Sequence, residues 1–320
     1  MKRHILFIDP LEKLTVKKDS TLFFAHSLKQ AGFEVFLVFE KDFHFINKGK
    51  SGLNSYSFSS KLISNSFYLE SFKLEEKIYL ELGKEDILHM RLDPPFDTRY
   101  LRFLWMLKSL KQACGVQVVN NPEGILLYNE KLAALEKPAS LETFVGSGAD
   151  DFLKFIDHLR GQNISSVILK PLDLYQGIGV EKIELKMENN DLKELFLKRA
   201  KEFQGPVIVQ PFDKTVVEGE IRSIFYKNVE IGTIVKVPPK GSFLANIAQG
   251  ATYHATELNS VQKKNCLDLC HELSEKGADW LAFDILGNNI SEVNVTCPGL
   301  LVEVSDAMKK DLAQEILGLM

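Results

Sequence analysis

Two rhythms of apolar positions alternate along the first third of the chain. His4–Asp9, Glu34–Phe39 and Ile87–Arg91 are short apolar runs of strand length. Between them, the segments ending at Gln30 and spanning Thr98–Gln112 carry apolar residues at helical spacing. Asp19 or Ser20 can cap the first helix, and Gly32 lies just past its end. Val116–Asn120 is a further β-branched strand, closed by Asn121-Pro122. This alternation predicts a parallel sheet covered on both faces. Gly49–Ser66, rich in Ser, Asn and Gly, reads as a surface excursion.

A middle segment begins near Asn121. Glu123–Leu135 is helical in character, and Asp150–Arg160 and Asp191–Phe203 are further helices. Ser166–Lys170 is a strand with its return at Val180–Leu185, and Val207–Gln210 is another. The last segment predicts a hairpin, Glu220–Tyr226 with Val229–Val237, around a Lys227-Asn228 tip. Then come a loop at Pro238–Thr256, a helix at Val261–Lys276, a second hairpin at Trp280–Val295 and a C-terminal helix at Val304–Leu317. No internal repeat is visible.

Composition narrows the classes. The 320 residues allow two or three domains with substantial cores. At 45% hydrophobic and 26% charged the chain is too apolar for a disordered one, and a net charge of −4 argues against broad nucleic-acid binding. No run is long enough for a transmembrane helix, and the apolar stretch Ile5–Ile8 is too short for a signal-peptide core. The four cysteines make no disulfide framework, which fits a cytoplasmic protein. Cys266, Cys270 and His271 sit in a helical leucine pattern and read as structural.

Four local patterns could carry chemistry. In Ile168–Val180 a lysine, Lys170, ends an apolar strand, and a loop bearing Gly177 and Gly179 follows. Backbone amides there could approach phosphate oxygens, or the glycines could simply turn a hairpin. In Phe283–Val295 a Gly-Asn-Asn tip marks a hairpin; Glu292 and Asn294 share a face. A three-residue loop centred on Asn288 would set Asp284 across from Glu292. Opposed carboxylates repel without a cation, so the pair suits Mg²⁺; a solvated polar hairpin is the alternative. Met90–Asp97 ends a parallel strand, where α/β sheets place ligands, and Asp97 can also cap the following helix. Arg222 alternates with apolar residues and could bind a carboxylate or phosphate bidentately, or face solvent.

Taken in order, these motifs resemble the bacterial glutathione synthetases of the ATP-grasp superfamily. The resemblance covers nearly the whole chain: Asp9-Pro10 with Val16–Ser20, Met90-Arg91 with Asp93–Thr98, Asn120–Pro122, Asn129–Lys131, Ile168–Pro171, Gln210, Gly219, Arg222 and Glu292–Thr296. It implies an α/β ATP-grasp fold: a Rossmann-like N-terminal domain at 1–120, a central lid domain at 121–205 and a C-terminal α+β domain at 206–320. It implies ATP with Mg²⁺, or Mn²⁺, as cofactors. Lys131 and Lys170 would contact phosphates, Gly177 and Gly179 would belong to a cover loop, and Gln210, Pro211 and Phe212 would meet adenine. Glu220 would contact ribose, Asp284, Glu292 and Asn294 would hold metal, and Arg222 would act at the reacting centre. Asp19, Arg91, Asp93 and Asn246 fall on the substrate side. The partners implied are a dipeptide-like acid and an amino acid, with no nucleic acid and no membrane, in a homo-oligomer.

The implied reaction joins γ-glutamylcysteine to glycine through an acyl phosphate. Loops must close over that intermediate to keep water out, and Pro238–Thr256 is a candidate second lid. The chain departs from the family where Leu92, Leu244 and Val302 replace basic residues. Those apolar side chains are expected to reshape the acceptor pocket. The same chemistry on another peptide or amino acid, or a nucleotide-binding protein without ligase activity, are the competing readings. Phosphate release across an acceptor panel separates them.

Overall fold

The computed structural model describes residues 2–48, 50–135, 137 and 140–320. The N-terminal portion runs β1 (Arg3–Ile8), α1 (Ser20–Gln30), β2 (Glu34–Val38), β3 (Gly52–Leu62), β4 (Leu69–Glu81), β5 (Ile87–Arg91), α2 (Thr98–Cys114) and β6 (Gln117–Val119). They form one six-stranded sheet ordered β4-β3-β2-β1-β5-β6. β1 pairs in parallel with β2 and β5, and β5 with β6, as the alternation predicts. Asp19 and Asp97 cap α1 and α2, each carboxylate accepting a backbone N–H three residues on. One face of the sheet packs on α1 and the C-terminal helices, the other on α2.

The expected surface excursion is instead structural. Gly49, where that stretch begins, lies outside the described residues. From Gly52 the chain forms a long antiparallel hairpin, β3 with β4, that extends the sheet. Leu53, Ser55 and Phe58 are buried in it. Serines among the apolar positions dilute the period-two signal, although Ser55 is wholly enclosed.

The short helix α3 (Pro122–Leu127) stops well before the expected Leu135; residues 128–135 turn without helix. The middle portion is β7 (Phe144–Gly146), α4 (Ala149–Gly161), β8 (Ser166–Pro171), β9 (Glu181–Glu184), α5 (Asn189–Glu202) and β10 (Val207–Pro211). Its sheet, β7-β10-β8-β9, takes β10 from beyond residue 205. Phe152 and Phe196 stack at 4.3 Å beneath it, joining α4 to α5.

The last portion contains β11 (Glu220–Tyr226), β12 (Val229–Val237), β13 (Thr252–Ala255), α6 (Ser260–Glu275), β14 (Trp280–Leu286), β15 (Asn289–Asn294), α7 (Leu301–Met308) and α8 (Leu312–Leu319). The sheet order is β13-β12-β11-β14-β15. The β11–β12 hairpin spans the expected residues, and Lys227 and Asn228 take the positive φ values of a tight hairpin turn. The loop after β12 is not wholly irregular, because β13 adds an edge strand. The single C-terminal helix expected over Val304–Leu317 is two helices, broken where Lys309 adopts φ +55°. Among the described residues no helix is long and apolar enough to cross a membrane.

Candidate functional site

The three portions meet around a cleft of about 440 Å³. Asp19, Arg91 and Asp93 line it from the N-terminal portion, and Lys131 from the connector after α3. Lys170, Gly177, Gln210, Pro211 and Phe212 come from the middle portion; Glu220, Arg222, Asn246, Asp284, Glu292 and Asn294 come from the last. Of the expected site residues only Gly179 does not line the cleft. Its vacant Cβ position would lie 2.9 Å from the Phe203 ring, so it allows close packing beneath the loop.

Strand pairing builds the charged floor. Arg222 lies directly across from Asp284 in the β11–β14 ladder, Glu220 across from Lys236, and Asp284 across from Glu292. The Arg222 guanidinium donates to both Asp284 oxygens, at 2.9 and 2.6 Å. Lys236 donates to Glu220 at 2.6 Å and to Asp284 at 2.8 Å. The Asn294 amide reaches Asp284 at 3.3 Å, and Lys131 stands 3.5 Å from Glu292. Burial opposes ionisation of Asp284, but Arg222 and Lys236 outweigh it and hold the carboxyl well below its ordinary value. Burial, with Lys131 nearby, pulls Lys170 below the ordinary lysine value. So the cations that offset the carboxylates belong to the protein itself. Charge opposition alone does not require a metal here.

The Asp284–Glu292 pairing arises differently from the expectation. The β14–β15 turn is two residues, Gly287-Asn288, and a bulge at Ser291 restores the register. The Ser291 hydroxyl donates to the Asp284 carbonyl at 3.1 Å. A second bulge, in β12, moves Lys236 opposite Glu220. A plain count from the Lys227-Asn228 tip puts Val235 there, which is why sequence reasoning missed Lys236.

The connector is pinned to the last sheet. Asn120 exchanges hydrogen bonds with the Trp280 backbone and donates to the Val295 carbonyl. Half-buried Glu130 accepts from Val295 N, Thr296 N and Thr296 Oγ1 at 2.8 to 2.9 Å. Neither residue was singled out for this anchoring, which only the packed fold reveals. It fixes the base of Lys131, whose ammonium donates to the Leu174 carbonyl at 2.6 Å. The loop at 172–179 is tied on other sides by Asn129, which donates to the Leu172 carbonyl, and by Phe96 N, which donates to the Asp173 carbonyl. From the second loop, Asn246 donates to the Gln176 carbonyl, and Leu244 comes within 3.7 Å of the vacant Cβ position of Gly177, whose φ is +75°.

On the substrate side the expectations divide. Asp19 and Asp93 face the cleft. Burial, with Asp93 beside it, pushes the Asp19 carboxyl up to about 6. Arg91 lines the cleft but is engaged elsewhere: it donates to Thr21 Oγ1 and the Pro298 carbonyl and stacks 4.3 Å over Trp280. It clamps the N-terminal sheet to the last portion. Of the three apolar replacements only Leu244 lines the cleft. Leu92 and Val302 are 0% exposed and sit in the hydrophobic core. Their expected part in shaping the pocket is therefore corrected: both are packing residues.

Among the described residues no three His, Cys, Asp or Glu side chains gather as metal ligands. Cys266 and Cys270 are buried among leucines, as expected. Asp284, Glu292 and Asn294 nevertheless offer clustered oxygen donors, the type hard divalent cations prefer.

The chain matches two family descriptions: the prokaryotic glutathione synthetase N-terminal domain over residues 2–125, and the prokaryotic glutathione synthetase ATP-grasp domain over residues 130–309. It is 28% identical over 316 residues to a glutathione synthetase of Parasynechococcus marenigrum, covering 98% of this chain and 97% of that one. It is 27% identical over 314 residues to the glutathione synthetase of Vibrio parahaemolyticus, covering 98% and 95%. Among solved structures it resembles the D-cycloserine synthetase DcsG, with a TM-score of 0.67 over 99% of both chains at 12% identity.

Proposed function

Since the chain belongs to the prokaryotic glutathione synthetase family, and so has an ATP-grasp fold and the amide-forming chemistry of an ATP-dependent ligase, we propose that it joins γ-glutamylcysteine to glycine, giving glutathione, ADP and phosphate. The observation that carries this is the convergence of Lys131 and Lys170 with the Arg222–Asp284–Lys236 cluster in one cleft closed by two loops.

In this reading Lys131 and Lys170 hold the ATP phosphates, and the Gln210–Phe212 segment meets the base. Glu220 meets the ribose. The Leu174 carbonyl that now caps Lys131 gives way to phosphate oxygen, a stronger charge-assisted partner. Arg222 lies on the cleft floor, where a guanidinium stabilises negative charge as phosphoryl passes to the substrate carboxylate. Asp284, Glu292 and Asn294 would hold Mg²⁺, which would neutralise phosphate charge when bound. The loops joined through Asn246 and Gln176 exclude water from the acyl phosphate until the amine attacks.

The test is ADP release and product mass across a panel of acids and amines. Glutathione from γ-glutamylcysteine and glycine supports the reading. Turnover confined to another pair moves the chemistry to that substrate. ATP binding without phosphate release on any pair contradicts it.

A further inference from the structure

The second loop, 238–251, leaves the last sheet at Val237 and returns at Thr252, a pair in the β12–β13 ladder. The strand that receives it is four residues long and lies at the sheet edge, and Thr252, His254 and Ala255 on it are exposed. A short edge strand with little buried surface opens easily. Tyr253 is turned the other way. It is half-buried, packs against the core shared by the N-terminal sheet and the C-terminal helices, and sets its hydroxyl 2.6 Å from that of Tyr68. Tyr68 immediately precedes β4 and belongs to the N-terminal portion. Its turn is firm: Ile63 N donates to the Tyr68 carbonyl at 2.9 Å, and the Phe67 ring meets Phe23 of α1 edge-on at 5.9 Å. The Lys17 ammonium covers the Tyr68 ring at 5.8 Å, next to Lys18, which lines the cleft.

Tyr253 also lies directly across from Lys236 in the β12–β13 ladder, and such partners share a face of the sheet. The hydroxyl contact therefore sits at the hinge of the loop, one pair away from where it leaves the sheet. We propose that Tyr68 and Tyr253 are positioning residues: their hydroxyl bond fastens the return limb of the second loop to the N-terminal portion and so keeps that loop shut over the cleft. The inference rests on the ligase reading for the acyl phosphate that the loop protects. Asn246 ties the same loop to the middle portion. The tyrosines tie it to the portion that bears Asp19 and Asp93. With one tie to each side, the loop seals the cleft when both portions stand in place. One such bond biases closure about fivefold.

The alternative is that the bond only stiffens the fold. Wild type, Tyr68→Phe, Tyr253→Phe and the double variant separate the two, because phenylalanine keeps the ring packing and removes the hydroxyl alone. Phosphate and amide are counted at limiting glycine with γ-glutamylcysteine, ATP and Mg²⁺. In parallel, trypsin cleavage after Lys240, an exposed lysine of the loop, is timed by mass with Mg²⁺ and ADP present. Each single variant should raise phosphate released per amide formed and speed that cleavage about fivefold. The double variant should match the singles, since either change breaks the same bond. A wild-type ratio and cleavage rate in both single variants overturn the proposal, even where the Tm falls. A double variant whose effect is the sum of the two singles overturns it as well. Absence of ADP with every acid in wild type defeats the ligase reading instead. Cleavage after Lys240 then decides the fastening: faster cleavage in the phenylalanine variants supports it, and equal rates overturn it.

Discussion

The side-chain amide of Asn246 donates to the backbone carbonyl of Gln176 across 2.6 Å, joining two loops from different portions of the chain. Asn246 also caps the short turn after it by accepting from Ala248 N. It therefore holds one loop in shape and fastens it to the other. Asn246→Ala should loosen closure by about 1 kcal/mol, the net worth of such a bond. Water would then reach the acyl phosphate. The ratio of phosphate to amide product should rise above one, and a ratio that stays at one would refute the latch.

Lys236 is the residue on which the charged floor depends most. Lys236→Met leaves Asp284 with one ion-pair partner among the described residues, Arg222, and strips Glu220 of its ion pair. Removing one partner of a buried pair typically costs about 3–5 kcal/mol. Denaturant unfolding should show a loss of that order, and a shift within error would mean that solvent reaches these carboxylates.

The apolar replacements make opposite predictions at two positions. Leu244→Arg puts a guanidinium into the cleft and should be tolerated, with its effect confined to substrate KM. Val302→Arg forces a charge into the core and should destabilise by several kcal/mol. Thermal melts compare the two directly. Equal melting temperatures would place Val302 at the cleft after all.

His4 and His89 form a buried pair, Nδ1 to Nε2 at 3.0 Å, within the N-terminal sheet. Burial, with Lys2 adding, lowers His4 to about 4; burial, with His4 and Arg91 adding, lowers His89 well below its ordinary value. The unfolded chain takes up protons near pH 6.5, before the native state does. Stability from this pair is complete above pH 6.5 and is lost as pH falls toward 4. For His4 that loss is about 3 kcal/mol. Urea midpoints from pH 7 to 4 should fall less steeply in His4→Phe than in wild type, and parallel slopes would exclude the pair as the cause.

Much of this architecture is local in origin and therefore readable. The caps Asp19 and Asp97, the parallel strands and the β11–β12 hairpin follow from spacing and turn chemistry. The candidate residues other than Gly179 converge on one cleft: Arg91 and Asn294 end strands, while Arg222, Asp284 and Glu292 lie within paired strands of one sheet. What escapes is decided by tertiary packing. The bulges that set Lys236 against Glu220 and Asp284 against Glu292 leave no local mark. Arg91 has several polar partners within reach, and only the folded chain shows that Thr21 and Pro298 take it. Val302 reads as a lost cleft residue until its helix is seen packed against the N-terminal sheet.

The most direct test of the central claim follows one oxygen atom. γ-Glutamylcysteine labelled with ¹⁸O in its cysteinyl carboxylate is incubated with ATP, Mg²⁺, glycine and the protein, and the released phosphate is weighed. Phosphoryl transfer to that carboxylate, then attack by the amine, predicts one ¹⁸O in phosphate for each amide formed. Glu292→Gln should depress label transfer and amide together. Phosphate without label, or label without ADP, would contradict the account.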